Sequence, residues 1–140
     1  MIRTREITVE SRGNFETVHI TDMVRDCVAE AGVSEGSVLV FYRHTTGALL
    51  MVEHEIGLLS DLKELLERIA PIEAEWRHHR RGYDQNGGAH LRSALLSSSL
   101  TVPILEGELL LGTYQEILLA DFDPLVEPRT RKLIVQVAGE

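Results

Sequence analysis

Apolar and polar residues alternate through the first segments of the chain. Ile7 and Val9 share one face of "IRTREITVE", and Val18 and Ile20 share one face of "FETVHIT". Both segments are therefore expected as strands, joined by the turn residues of "SRGN". The period then changes. Val24, Cys27, Val28 and Ala31 stand at i, i+3, i+4 and i+7, which predicts one buried face of a helix. Thr21 or Asp22 is placed to cap that helix, and Gly32 to end it in the left-handed conformation. "SVLVFYR" (37–43) is a continuous apolar run, as expected of a strand buried on both faces. Helical spacing returns from Gly57 to Ala70, with Leu58, Leu62, Leu65, Leu66 and Ile69 as the stripe and Pro71 as the stop.

Downstream, "GYDQNGG" is a loop by composition, and "AHLRSALL" predicts a short helix. "LTVPIL", "ELLLGTYQEILLADF" and "KLIVQVAG" are expected as strands, with "EGE" as a tight turn between the first two and "DPLVEPR" as a second loop. Consecutive strands joined by tight turns imply an antiparallel or mixed sheet with two main helices packed on it. This is a single α+β domain with a sandwich-like sheet arrangement, not a doubly wound parallel fold.

Composition narrows the function. The 140 residues suit one domain, and 44% hydrophobic with 26% charged residues reads as a soluble globular protein. No apolar run is long enough for a membrane span, and "MIRTREITVE" reads as a strand and not as a signal peptide, so a cytoplasmic location is expected. The single cysteine, Cys27, falls on the apolar face of its helix and is expected as a core thiol. A formal charge of −8 disfavours a nucleic-acid partner. The exception is "WRHHRRG" (76–82), a basic stretch too short for a duplex footprint but of a size to meet a phosphate.

Polar groups that can do chemistry gather at element boundaries. His44 ends the "SVLVFYR" strand, His78 or its neighbour His79 follows the second long helix, and His90 follows a glycine pair. Neutral imidazole is a common ligand for zinc and related metals, yet no H-E-x-x-H or C-x-x-C spacing is present. Thr45 and Thr46 offer hydroxyls, and the backbone near Gly47 can approach an anion closely. Glu53 and Glu55 offer carboxylates for general base work or for orienting an imidazole. Gln115 is an amide in an apolar run, and if buried it needs a partner. On spacing alone these residues read first as capped turns and surface charges.

In combination they resemble the YjbQ family, also called secondary thiamine-phosphate synthase enzymes. The matching segments are "HTTGALLMVE" (44–53), Asp61, "WRHH" (76–79), "NGGAHLRSALLSSSLTVPI" (86–104), "GELLLGTYQEI" (107–117) and "PRTRKLIVQVAGE" (128–140). The resemblance implies a compact α+β subunit that assembles as a homotrimer. It maps the family's histidines onto His44, His78 and His90, and its glutamate onto Glu53. It further implies weak thiamine-phosphate synthase activity, which joins a pyrimidine pyrophosphate to a thiazole phosphate. On that reading the three histidines hold a divalent metal, zinc or magnesium, or a phosphate directly. Glu53 acts as base or orienter, while Thr45, Thr46, Ser99 and Gln115 fix a small phosphorylated molecule. The alternative is a binding module for such a metabolite without catalysis. The chain departs from the family pattern at Val52, His54 and His79, where asparagine is usual or common, and at Ser97, where glycine is common.

Overall fold

The computed structural model describes residues 1–140. In chain order its elements are β1 (Ile2–Ser11), β2 (Glu16–His19), α1 (Thr21–Ala31), β3 (Glu35–Tyr42), β4 (Gly47–Val52), α2 (Ile56–Ile69), a 3₁₀ turn (Arg77–Arg81), α3 (Gly87–Leu95), β5 (Ser99–Leu105), β6 (Glu108–Leu109), β7 (Glu116–Asp121) and β8 (Arg129–Gly139). The strands form two antiparallel sheets, one of five strands in the order β1-β8-β3-β5-β6 and one of three in the order β2-β7-β4. This is the expected α+β architecture. No helix is long and apolar enough to cross a membrane.

The three-stranded sheet lies at the centre and is covered on both faces. On one side Leu49, Ile117 and Leu119 meet Val38, Val40, Val135 and Val137 of the large sheet, together with Val24, Cys27 and Val28 of α1. On the other, Ala48, Leu50, Leu118 and Ala120 meet Leu66 of α2 and Ala89 of α3. Ile117 to Asp121 are all buried, so the strand hidden on both faces is β7. The sequence pattern had pointed to β3 instead. That strand alternates: Val38, Val40 and Tyr42 face inward, and Phe41 is 42% exposed on the outer face of the large sheet.

Other details correct the pattern-based expectations. "GALLMV" makes β4, a strand the polar cluster before it obscured. The "ELLLGTYQEILLADF" run is not one strand: β6 stops at Leu109, and the chain turns before β7, with Gln115 Oε1 accepting from the Gly112 amide at 2.8 Å. The "EGE" turn is as expected, with φ of 54° at Glu106 and 79° at Gly107, the left-handed pair that matches strand twist. Ile20 occupies the N-cap of α1, and neither Thr21 nor Asp22 caps it by a side-chain bond. The Thr21 hydroxyl instead donates to Glu116 at 2.6 Å and accepts from the Ile117 amide, tying α1 to β7. Gly32 ends α1 at φ 69°, and Cys27 is buried in the core, both as expected.

Helix α2 departs furthest from its pattern. Its C-terminus precedes Pro71, yet of the stripe only Leu66 is buried, and Leu58, Leu65 and Ile69 are exposed. The face that packs on the core is Leu59, Leu62 and Leu66, so the covered side of the helix is rotated from the expected stripe. The Glu55 carboxylate accepts from the amides of Gly57 and Leu58, so it caps the helix and is not free for general base work.

Candidate functional site

Where β3 ends, the chain leaves the large sheet at Tyr42 and enters the central sheet at Gly47, and the crossing segment Arg43–Thr46 forms one wall of a cleft. Helix α3 forms the other wall. It is held there by the Ser93 hydroxyl, which donates to the Gly47 carbonyl at 2.7 Å. The cleft encloses about 620 Å³ and is lined by Phe41, Tyr42, Arg43, His44, Thr45, His90, Ser93, Ala94 and Ser98. No carboxylate is among the lining groups.

The crossing has little room to move. A Cβ on Gly47 would lie 2.6 Å from the Ala120 carbonyl oxygen and 2.7 Å from Tyr42 Cε1, so only glycine lets Tyr42 lie against the backbone here. The Tyr42 hydroxyl is buried without a hydrogen-bond partner, and burial pushes its pKa upward. Beneath the cleft Arg131 forms a two-point ion pair with Asp121, both bonds at 3.1 Å, and the Ser11 hydroxyl donates to the same carboxylate at 2.6 Å. Asp121 is fully buried and sits opposite Gly47 in the sheet register.

His44 Nε2 accepts a hydrogen bond from the Lys132 amide at 2.9 Å. In the neutral ring this leaves Nδ1 carrying the proton, as a donor. Burial, and next the Arg131 guanidinium, lower the His44 pKa from its ordinary 6.5, with Asp121 opposing them. His90 is lowered too, first by burial and then by His78 and Arg81, against a hydrogen bond to the Thr45 backbone. Both are therefore neutral imidazoles at pH 7.

His78 stands beside His90, with ring centroids 4.7 Å apart at 65°. Its Nε2 lies 3.2 Å from both Asn86 Oδ1 and Arg81 Nη2, so it donates to the amide when protonated and accepts from the guanidinium when not. Of the two adjacent histidines, His78 is the one whose ring lies against His90. His79 faces away, and its Nε2 accepts from the Gly87 amide at 2.9 Å, fixing the start of α3.

The remaining candidates divide. Thr45 lines the cleft, whereas Thr46 is buried beneath it, its carbonyl accepting from the Phe122 amide. Ser99 falls just outside the lining and Ser98 is within it. Glu53 and Gln115 lie at the opposite end of β4, separated from the histidines by a strand about 17 Å long at about 3.4 Å per residue. Gln115 is exposed there, with its amide on Met51 Sδ at 3.4 Å. At that same end His54 stacks on His19, which bonds to Glu116 at 2.8 Å. Sequence reasoning missed Tyr42, Ser93 and the Arg131–Asp121 pair, while Arg81 falls in the basic stretch it marked; an aspartate inside the apolar run "ILLADF" was the one signal for the pair.

This donor set does not suit a divalent metal. No three of the chain's histidine, cysteine, aspartate and glutamate side chains converge as a metal site would need, and the His44 Nε2 lone pair is already engaged. Within one chain His44, His78 and His90 do not fit the ion. A second cleft of about 550 Å³, lined by Glu73, Asp84, Asp123 and Arg129 among others, mixes both signs of charge and lacks the paired imidazoles.

Residues 5–140 match the family model described as "UPF0047 protein YjbQ-like". A UPF0047 protein of Archaeoglobus fulgidus is 42% identical over 131 residues, covering 94% of this chain and 98% of the relative. One of Methanothermobacter thermautotrophicus is 37% identical over 139 residues, covering 99% and 94%. Among solved structures, a YbjQ-like protein of unknown function from Sulfolobus solfataricus superposes with a TM-score of 0.86 at 30% identity over 100% of both chains. A hypothetical protein from Aeropyrum pernix gives 0.89 at 28% identity over 99% of both. With the family model matched over residues 5–140 and the fold shared with a solved relative, the chain belongs to the YjbQ-like UPF0047 family.

Proposed function

We propose that the cleft between the Arg43–Thr46 crossing and α3 binds the phosphate group of a small phosphorylated molecule. The observation that carries this reading is a lining supplied with donors and free of carboxylate: two imidazoles, the Thr45 and Ser98 hydroxyls and Arg43, whose Nη1 also pairs with Glu6 at 2.8 Å. With His44 Nε2 occupied by Lys132, the ring turns a donor outward, which suits an oxyanion and not a cation. His78 and Arg81 extend the positive side of the site behind His90.

The reaction we assign is the one the family resemblance implies, joining a pyrimidine pyrophosphate to a thiazole phosphate in a homotrimer. Departure of pyrophosphate places negative charge on the leaving oxygens, and preorganised donors stabilise that charge. His90, neutral before binding, is able to take up a proton as the charge develops, while His44 donates through Nδ1, with His78 and Arg81 in support. A non-catalytic module would use the same donors to hold its ligand. A zinc or magnesium ion at His44, His78 and His90 ranks below both, because it requires His44 to release Lys132.

The test incubates the purified protein with the two substrates and follows pyrophosphate release. Turnover that is lost in His90→Ala supports the enzyme. Thermal stabilisation by either phosphorylated compound without product supports the binding module. Neither effect, or metal-dependent turnover with stoichiometric bound zinc, overturns the reading.

A further inference from the structure

We propose that His19 and His54 bind one borderline transition-metal ion, of the class of Cu²⁺, Ni²⁺ and Zn²⁺, at the end of the central sheet away from the cleft. The site is independent of the cleft and of what the cleft binds.

The strand order β2-β7-β4 brings three chain segments together there. His19 closes β2, Glu116 opens β7, and His54 follows the end of β4. In the register His19 lies opposite Leu118, and Val52 opposite Glu116. Glu116 Oε2 lies 2.8 Å from His19 Nε2 and accepts from the Thr21 hydroxyl at 2.6 Å. These two bonds, Thr21 first, hold the Glu116 carboxyl below the usual carboxylate range, so it is ionised at pH 7 and only accepts. His19 Nε2 therefore carries the proton, and Nδ1 keeps its lone pair. A carboxylate that fixes one ring nitrogen and frees the other is the usual support behind a metal-ligating histidine.

His54 supplies the second nitrogen. Its ring centroid is 4.9 Å from that of His19, at an interplanar angle of 27°. An imidazole that ligates an ion at about 2.0–2.1 Å has its centre about 3.2 Å from the ion, so two rings sharing one ion at angles of about 90–110° stand about 4.5–5.2 Å apart. The observed spacing falls in that range. His54 is exposed, and turning its ring toward His19 Nδ1 disturbs no core packing.

Charge separates this pair from the other close pair of imidazoles. His78 and His90 stand 4.7 Å apart, but Arg81 Nη2 is 3.2 Å from His78 Nε2, and a guanidinium there repels a cation. At the far end Glu53 and Glu55 flank His54 in the chain and Glu116 backs His19. Arg25, on α1, is paired with Asp22 at 3.1 Å. Two protein nitrogens leave the other coordination positions to water, so this is an open site and not a structural zinc centre. Imidazole selects Cu²⁺, Ni²⁺ and Zn²⁺ over the oxygen-seeking Mg²⁺ and Ca²⁺, with Cu²⁺ the tightest. The second ligand is particular to this chain, since the family pattern commonly has asparagine at position 54.

The test titrates tag-free protein with copper, nickel, zinc and magnesium chlorides by calorimetry, in a buffer that does not bind metals, and records the electron paramagnetic resonance of the Cu²⁺ complex. About one Cu²⁺ per chain is expected, coupled to two nitrogens, with Ni²⁺ and Zn²⁺ weaker and Mg²⁺ not bound. His54→Asn lies on the surface and keeps the fold, and it should weaken Cu²⁺ binding at least about tenfold, as should His19→Ala; Glu116→Gln should weaken it about tenfold through His19. Pyrophosphate binding by His54→Asn should match the wild type, which separates this site from the cleft. A wild type that does not bind Cu²⁺ overturns the proposal. So does binding that is unchanged in His54→Asn, that is lost in His90→Ala but kept in His54→Asn, or that Mg²⁺ matches in affinity.

Discussion

His90 on α3 meets His78 of the 3₁₀ turn edge to face, with ring centroids 4.7 Å apart, and His90 lies on the wall of the cleft that His44 faces. The pKa values of His44 and His90 are both lowered, so each is neutral at pH 7; His90 has room to gain a proton when an anion arrives, whereas His44 Nε2 is held by the Lys132 amide. Pyrophosphate affinity should therefore rise as pH falls from 7 through the ordinary value of 6.5, and binding should take up protons. Titration calorimetry in two buffers of different ionisation enthalpy measures that uptake directly. Affinity that falls over this range would contradict the oxyanion reading.

The same shifts set a stability trend of opposite sign. A histidine whose folded pKa is below its unfolded value binds fewer protons in the native state, so its contribution is complete above pH 6.5 and is lost as pH falls toward the lowered folded value. Urea unfolding of the ligand-free protein should show midpoints decreasing from pH 7 to pH 5. Replacing both His44 and His90 by Gln should flatten part of that slope.

His78 and His79 are adjacent in the chain and separable by experiment. His79→Ala removes the acceptor of the Gly87 amide and should cost about 1 kcal/mol of stability, with the start of α3 loosened. His78→Ala leaves no backbone group unpaired and should change stability by less than about 0.5 kcal/mol, while weakening pyrophosphate binding at least tenfold. Paired unfolding curves and calorimetry distinguish the two. Equal destabilisation by both would remove His78 from the site.

Where the pattern was legible, one local force dominated. The 3.6-residue spacing of Val24 to Ala31 and the turn chemistry of Glu106–Gly107 are settled by immediate neighbours, and both appear in the fold as expected. Burial of β3 and β7 could not be read that way. Both runs are continuously apolar, and only the topology, which puts β7 between β2 and β4 under two cores, decides which one is hidden on both faces. His44 and His90 were marked in the sequence as polar groups at element boundaries, and the structure puts both on the lining of the cleft. Ser93 and Arg131 carry no such mark. A serine on a short helix and an arginine near the start of a strand are ordinary surface residues until tertiary structure brings them to Gly47 and Asp121.

Gly47 is the tightest point of the crossing. A methyl group there meets the Ala120 carbonyl at 2.6 Å and the Tyr42 ring at 2.7 Å, and neither is the end of a flexible side chain. Gly47→Ala should lose about 1–3 kcal/mol by overpacking. It should also shift Tyr42, whose ring lies 5.0 Å from that of His44, so the near-ultraviolet circular dichroism should change along with ligand affinity. An unperturbed variant would mean that the crossing is more compliant than its packing indicates.

The Arg131–Asp121 pair beneath the cleft combines stability with the charge state of the site. Asp121 is fully buried and Arg131 nearly so, and removing one partner leaves the other charge without compensation, at a cost of about 3–5 kcal/mol. Asp121→Ala should lose that much. Arg131→Met combined with Asp121→Leu should lose clearly less than the two single changes together, since no buried charge remains. The guanidinium has a second role. After burial it is the largest influence holding the His44 pKa down. In the double variant, which keeps the chain folded, the His44 pKa should move upward toward 6.5, read from the ring resonances in an NMR titration, because Arg131 outweighs Asp121 at that ring. A stability loss without that upward movement would confine the pair to the core. Movement of both together would show that the buried pair also sets the protonation of the cleft above it.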